Sequence, residues 1–353
     1  MTKPEPSRRR ALYALTVKGA KLARLAAAGL DAETEIFLPE RLKEDTGAAI
    51  NYFGSLRETV AANFGSFSGH IFITAPGIAV RCVAPLLISK KEDPAVVVLT
   101  QDGRFAVSLV SGHLGGGNDL AVQVAEICGA QAVIGTATDL EGLPALEVIA
   151  RDLGLEIENF SKLPTVSSYL VEGGRLKIYD PLECLKQALA AWPGHFEFVE
   201  KPPAREEIHV RVDYRQRPDD ASGLALVMRP RLVVLGLGCH RGIERSEMDS
   251  FIDATLSEEK ISPQAVALMT TVESRAQEPA FLDISRDRGW PLVIFTKAEL
   301  SGVEVPNPSG KVMERIGVSS VCEAAAMLAA KTDSLLISKR KSARATLAAA
   351  LRK

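Results

Sequence analysis

Short aliphatic runs alternate with amphipathic ones along most of this chain, and nothing else in the sequence restricts the fold as much. A strand period that repeatedly gives way to a helix period calls for an α/β protein, with mainly parallel sheets and helices on both faces. Residues 12–17 read as a strand and 18–29 as a helix ended by Gly29. Residues 71–74, 95–100, 105–110 and 132–134 read as strands. Residues 76–89 and 118–128 read as helices, the first kinked or broken at Pro85. Asp102-Gly103, between two of the strands, is a hairpin signal. In the last third, strands are expected at 231–237, 266–271, 292–296 and 335–338, and helices after Ser246, at 279–288 and at 321–330. Ser246 is the expected cap of the first of these helices. The alternation over 343–350 permits a last strand or a short helix. The stretch 139–228 is more heavily punctuated, with Gly173-Gly174, Pro202-Pro203 and Pro218-Asp219-Asp220, and reads as a separate middle α/β module. Two or three modules follow, divided as 1–138, 139–228 and 229–353.

Length agrees, since 353 residues exceed the usual single domain, and an apolar content of 46% suffices for substantial cores. The net charge of -2 argues against a general nucleic-acid binder. No apolar run is long enough to span a bilayer, and Thr16, Lys18 and Lys21 interrupt the segment after the polar start. A cytoplasmic protein with no membrane association is expected. Cys82, Cys128, Cys184, Cys239 and Cys322 are isolated, which suits neither a disulfide framework nor a zinc site. The polar segment from Lys43 to Asn51 reads as a mobile loop.

Four strand-to-helix turns hold the residues that chemistry would need. In SGHLGGGND, Ser111, Gly112, His113, Gly115, Gly116, Gly117 and Asn118 lie between a strand and a helix. Glycines there let backbone N–H groups face a ligand, and the helix start adds further donors, so the turn suits a phosphate or a carboxylate. Neither a Walker loop nor the G-x-G-x-x-G dinucleotide pattern is present. His113 is a possible acid or base, or equally a packing residue. In VVLGLGCHRG, the glycines Gly236, Gly238 and Gly242 are one residue too widely spaced for the dinucleotide pattern. Cys239 and Arg241 sit at the tip, and Arg241 suits a carboxylate; the plainer reading is a tight turn with an incidental cysteine. Arg81 either reaches a ligand at the helix start after Pro76-Gly77 or is a surface cation. Glu273, after the strand at 266–271, is either a site residue or a helix cap. Lys339, Arg340 and Lys341 form a solvated face unless the substrate is a polyanion.

Taken together, GHIFITAPGIAVRCVAPLL, VSLVSGHLGGGNDLAVQVAEICGAQAVIGTATD, LGLGCHRG and VCEAAAML…LLISKRKSARATLAAA resemble the cobalt-precorrin-5A hydrolases of anaerobic cobalamin biosynthesis, the CbiG family. The S-G-H-x-G-G-x-N segment is the most specific part. The resemblance implies a hydrolase acting on a carbon–carbon bond, which opens the ring A δ-lactone of a cobalt-bearing corrinoid precursor and releases a two-carbon unit as acetaldehyde, giving cobalt-precorrin-5B. Cobalt would arrive inside the substrate, so no metal or organic cofactor of the protein's own is expected. The partners implied are the tetrapyrrole substrate and neighbouring cobalamin-pathway enzymes. On this reading His113 and Glu273 are the catalytic candidates. His113 would act as base toward water or as acid toward the leaving oxygen, and the Gly115–117 amides would hold the oxyanion. Arg81, Ser111, Gly112, Gly115, Gly116, Gly117, Asn118, Gly238, Cys239, Arg241 and Lys339 would hold the carboxylated rim. Two other readings compete. One is a corrinoid carrier that releases no aldehyde; the other is a nucleotide-dependent oxidoreductase, which would carry a bound chromophore.

Overall fold

The computed structural model describes residues 9–43, 50–308 and 320–352. Most of the loop expected between Lys43 and Asn51 lies outside the described residues. Contacts gather the chain into two units that divide between Val148 and Ile149. Among the described residues no helix is long and apolar enough to cross a membrane.

The first unit is built on seven strands: β1 (Arg10–Ala14), β2 (Thr34–Pro39), β3 (Ile50–Phe53), β4 (Gly69–Ile73), β5 (Ala95–Leu99), β6 (Phe105–Val110) and β7 (Gln131–Val133). They lie in the order β3-β2-β1-β4-β5-β6-β7. The helices are α1 (Val17–Gly29), α2 (Leu56–Asn63), α3 (Pro76–Val83), α4 (Gly117–Cys128), α5 (Ala137–Leu140) and α6 (Leu146–Asp152), the last crossing the division between units. Period two along the strands gives each face its own core. Leu12, Ala14, Ile71, Ile73, Val97 and Leu99 pack with Ala23 and Ala26 of α1 and Leu120 and Val124 of α4. Tyr13, Phe72, Val96 and Val98 pack with Val60 of α2 and Ala79 and Val83 of α3. Helices therefore cover both faces, as the alternation predicts. Helix α3 stops at Val83, and Pro85 lies in a short 3-10 turn, because proline offers no N–H to continue the ladder.

All neighbouring strands of this sheet run parallel except β5 and β6, the hairpin that turns through Gly103 at φ +76°. This reversal relocates the glycine-rich turn. Val110, at the end of β6, pairs with Val96 near the start of β5, while Ala106 pairs with Leu99. Ser111–Gly117 thus sits at the edge where β1, β4 and β5 begin. The expectation of a crevice beyond the carboxyl ends of the parallel strands is corrected at this turn.

The second unit holds two sheets. The first comprises β8 (Leu155–Ile157), β9 (Leu176–Tyr179), β10 (Phe196–Val199), β11 (His209–Val212) and β12 (Ala225–Pro230), ordered β10-β9-β11-β12-β8 and parallel apart from β8. Helix α7 (Leu163–Val171) belongs to it in sequence. The other comprises β13 (Val233–Cys239), β14 (Val266–Val272), β15 (Leu292–Phe295), β16 (Ile337–Lys341) and β17 (Ala345–Leu351), ordered β15-β14-β13-β17-β16. Its helices are α8 (Arg245–Glu258), α9 (Pro279–Arg288), α10 (Lys297–Ser301) and α11 (Val321–Ala330). The tail is a strand: β17 pairs antiparallel along the whole of β13, with Leu347 and Ala349 in the core shared with α8 and α9. Ser246 is not the cap of α8. Ile243 is drawn into the core ahead of the helix, so the helix begins at Arg245 after Glu244 and takes Ser246 into its first turn.

Candidate functional site

Because β6 and β7 are parallel, their ends lie side by side, and the turn after β6 meets the polar segment after β7. His113 is gripped there at both ring nitrogens. Nδ1 lies 2.7 Å from Glu147 Oε1, and Nε2 lies 2.8 Å from Asp139 Oδ2 and 3.3 Å from Thr138 Oγ1. The hydrogen bond His113 makes to Glu147 raises its pKa most; desolvation opposes it, and Asp139 reinforces it. An imidazole between two carboxylates is held as the imidazolium, with both nitrogens donating. Asp139 is itself positioned by Asn118 Nδ2 at 2.9 Å and by Thr136 Oγ1. The Asp139 side chain is 42% exposed and that of Glu147 only 11%, so the clamp is more open to solvent on the Asp139 side.

The glycines serve the turn's own packing. The amides of Gly116 and Gly117 donate to the carbonyls of His113 and Ser111, each at 2.9 Å, and the Asn118 amide donates to Gly112 O at 2.9 Å. The expectation that the Gly116 and Gly117 amides face an oxyanion is corrected, because the turn closes on itself and consumes them. A Cβ on Gly115 would lie 2.5 Å from Ser111 Cβ, and one on Gly112 would lie 2.6 Å from Asn118 Oδ1. Gly116 has φ +77°, which a side chain strains. Arg81 is exposed in the last turn of α3, where a cation complements the helix dipole; the structure does not place it at the helix start.

A second feature belongs to the second unit. The parallel strands β13, β14 and β15 end on one edge, and the residues that follow them border a cavity of about 560 Å³. Gly238, Cys239, Arg241 and Lys339 line it together. Arg275, Lys297, Lys341 and Arg344 also line it, and no Asp or Glu does among the described residues. Of these, Lys341 was noted in the sequence only as part of a basic run, and Arg275, Lys297 and Arg344 were not singled out. The signal was there, since Arg275 and Lys297 lie in the first residues after β14 and β15, where ligands of α/β sheets collect.

The cations fall into two sets. Arg275 Nε donates to Cys239 O at 2.8 Å, and Arg344 donates to Gly242 O at 2.8 Å. Lys339 Nζ donates to Asn307 O and lies 3.4 Å from Ser320 Oγ, while its amide donates to the buried Glu323 at 3.0 Å. These three brace the walls. The side chains of Arg241, Lys297 and Lys341 are exposed and have no ion-pair partner among the described residues. Burial pushes the Cys239 thiol up to about 11, so it stays protonated and is no thiolate nucleophile near neutrality. The glycines of this turn make room for neighbours. A Cβ on Gly236 would run into the Cys322 carbonyl of α11, and one on Gly238 would lie 2.7 Å from Thr346 Oγ1. Glu273 lies outside the cavity lining. It is exposed after β14, with Oε1 3.4 Å from the Lys297 amide. Among the described residues no group of His, Cys, Asp and Glu is arranged to hold a metal ion.

Three family descriptions match the chain: Cobalamin synthesis G N-terminal over residues 58–139, Cobalamin biosynthesis central region over 144–230, and Cobalamin synthesis G C-terminus over 233–350. The chain is 32% identical over 323 residues to the cobalt-precorrin-5A hydrolase of Salmonella typhimurium, covering 90% of this chain and 91% of that one. The chain belongs to the cobalamin biosynthesis protein G family. A second member, the cobalt-precorrin-5A hydrolase of Priestia megaterium, is 29% identical over 309 residues, covering 85% of this chain and 83% of its own length. The family's N-terminal match includes the glycine-rich turn and Asp139, and its C-terminal match includes every basic residue that lines the cavity.

Proposed function

We propose that this chain is a cobalt-precorrin-5A hydrolase of cobalamin biosynthesis. The observation that carries this reading is the 32% identity to a hydrolase of that name across nine-tenths of both chains. In the reaction proposed, water adds to the ring A lactone carbonyl and the ester C–O bond breaks. Ring A gains a carboxylate and the two-carbon unit gains a hydroxyl. Loss of the hydroxyl proton turns that oxygen into an aldehyde carbonyl as the carbon–carbon bond to the macrocycle breaks. The electron pair stays in the conjugated ring, and acetaldehyde leaves.

The clamp around His113 supports the acid role over the base role. The imidazolium carries a proton on each nitrogen, and the more exposed Asp139 side is where it meets the leaving lactone oxygen. Asn118 acts through Asp139 and is a positioning residue. Glu273, exposed beside the Lys297 amide, is assigned the proton movement of the carbon–carbon cleavage. Cobalt belongs to the substrate in this scheme, with no cofactor held by the chain. The reading further places the protein in the cytoplasm, among enzymes that deliver and consume the pigment. Anaerobic incubation with cobalt-precorrin-5A, followed by mass spectrometry of the corrinoid, tests the proposal. The product expected has the mass of substrate plus water minus acetaldehyde. Recovery of unaltered, protein-bound pigment would favour a carrier instead.

A further inference from the structure

We infer that the cavity at the ends of β13, β14 and β15 is a polycarboxylate site, in which Arg241, Lys297 and Lys341 take acetate and propionate groups on the rim of the macrocycle. The inference deepens the hydrolase reading and rests on it for the identity of the macrocycle.

Four observations converge. The cavity is lined by six Lys and Arg side chains with no carboxylate among the described residues, in a chain whose net charge is -2. A focused positive field of this kind selects a polyanion. Three of the six are spent on backbone carbonyls or a hydroxyl and hold the walls, which leaves three cations for a ligand. Those three come from separate elements: the turn after β13, the start of α10 and the end of β16. Separate mounting suits several carboxylates spread around a rim better than a single phosphate, which needs converging donors. Finally, no Phe, Tyr or Trp among the described residues lines the cavity, so these residues offer no aromatic stacking to the face of a planar ring and recognition falls to the rim charges. The same absence disfavours single-stranded nucleic acid, which binds through base stacking. The sequence alone pointed to Lys339, but its ammonium is tied to the wall, and Lys341 is the partner available to a ligand.

Metal-free uroporphyrin, an octacarboxylate, and coproporphyrin, a tetracarboxylate, serve as fluorescent probes for the full-length chain. Uroporphyrin should bind more tightly, and added salt should weaken it. The double variant Lys297→Ala/Lys341→Ala should raise its Kd about tenfold, the loss of two partly solvated charge pairs. Lys186→Ala, which removes an exposed pair with Glu183 elsewhere in the unit, should leave the Kd unchanged. No binding of uroporphyrin by the unmodified chain, or equal binding by the double variant, overturns the assignment. Acetaldehyde release reports separately on the hydrolase reading. Aldehyde released with porphyrin binding insensitive to the double variant removes the cavity's role alone. Porphyrin binding that depends on these lysines, without aldehyde from the unmodified chain, removes the hydrolase reading alone.

Discussion

His113 cannot act as a resting base while both its nitrogens donate to carboxylates. If it works as an acid, activity should persist above the ordinary histidine range and fall as pH rises through its raised pKa. Glu147→Gln removes the largest cause of that rise, so the alkaline limb should move to lower pH, by about one unit. A pH–rate profile of the two proteins checks this, and coincident limbs would contradict the acid assignment. Stability carries the same sign. A pKa above the usual 6.5 stabilises the fold fully below that value, and the contribution is lost as pH rises through the raised one. Denaturant titrations of the unmodified chain should therefore show a loss as pH rises above 6.5 that His113→Gln does not. The sequence made His113 conspicuous but hid its partners. Glu147 lies 34 residues away, and the Thr136–Asp139 stretch reads only as a module boundary until β7 is known to lie beside β6.

At the scale of elements, glycines mark close approaches of backbone and side chain, and they do so in both turns that drew attention. Gly115→Ala sets a Cβ against Ser111 and should destabilise the first unit by about 1–3 kcal/mol through overpacking. Gly236→Ala drives a methyl into the Cys322 carbonyl and pushes α11 off the sheet, at about 3 kcal/mol or more. Thermal or denaturant unfolding checks both; unchanged midpoints would mean that the turns yield more easily than their packing indicates. Most strands of the two outer sheets were legible, because aliphatic runs such as Val96–Leu99 and Val233–Leu237 are buried on both faces. The consequence of the hairpin at Gly103 was not. Its turn signal was plain, yet the edge on which the next turn emerges depends on strand order, which local periodicity does not carry.

The middle sheet shows why a quarter of the chain, residues 139–228, was hard to read. Its strands are short, and they bury charge where the periodicity argument looks for aliphatics. Arg229 is fully buried, donating to Glu158 and Asp220 and to the carbonyls of Asp213 at 2.8 Å and Arg215 at 2.6 Å. Glu158 also accepts from Ser262 Oγ at 3.0 Å, and Tyr214 O accepts the Ser262 amide at 3.0 Å, so this network ties the middle sheet to the segment that precedes β14. Arg229→Ala leaves the buried Asp220 with Arg211 alone and the half-buried Glu158 without its cation, and should cost about 3 kcal/mol. Denaturant unfolding followed by the fluorescence of Trp192 and Trp290 should then begin earlier for both tryptophans; a shift confined to Trp192 would contradict a shared network.

The account assigns proton donation to His113 and grip on carboxylates to the basic cavity at the ends of β13, β14 and β15. Its central claim is the release of the two-carbon unit. The most direct measurement is acetaldehyde, trapped by an NADH-linked alcohol dehydrogenase during anaerobic incubation with cobalt-precorrin-5A made in situ. The account predicts one equivalent of aldehyde per corrinoid, with turnover by His113→Ala at least about 100-fold slower and pigment binding retained. Bound pigment with no aldehyde from the unmodified chain would contradict it.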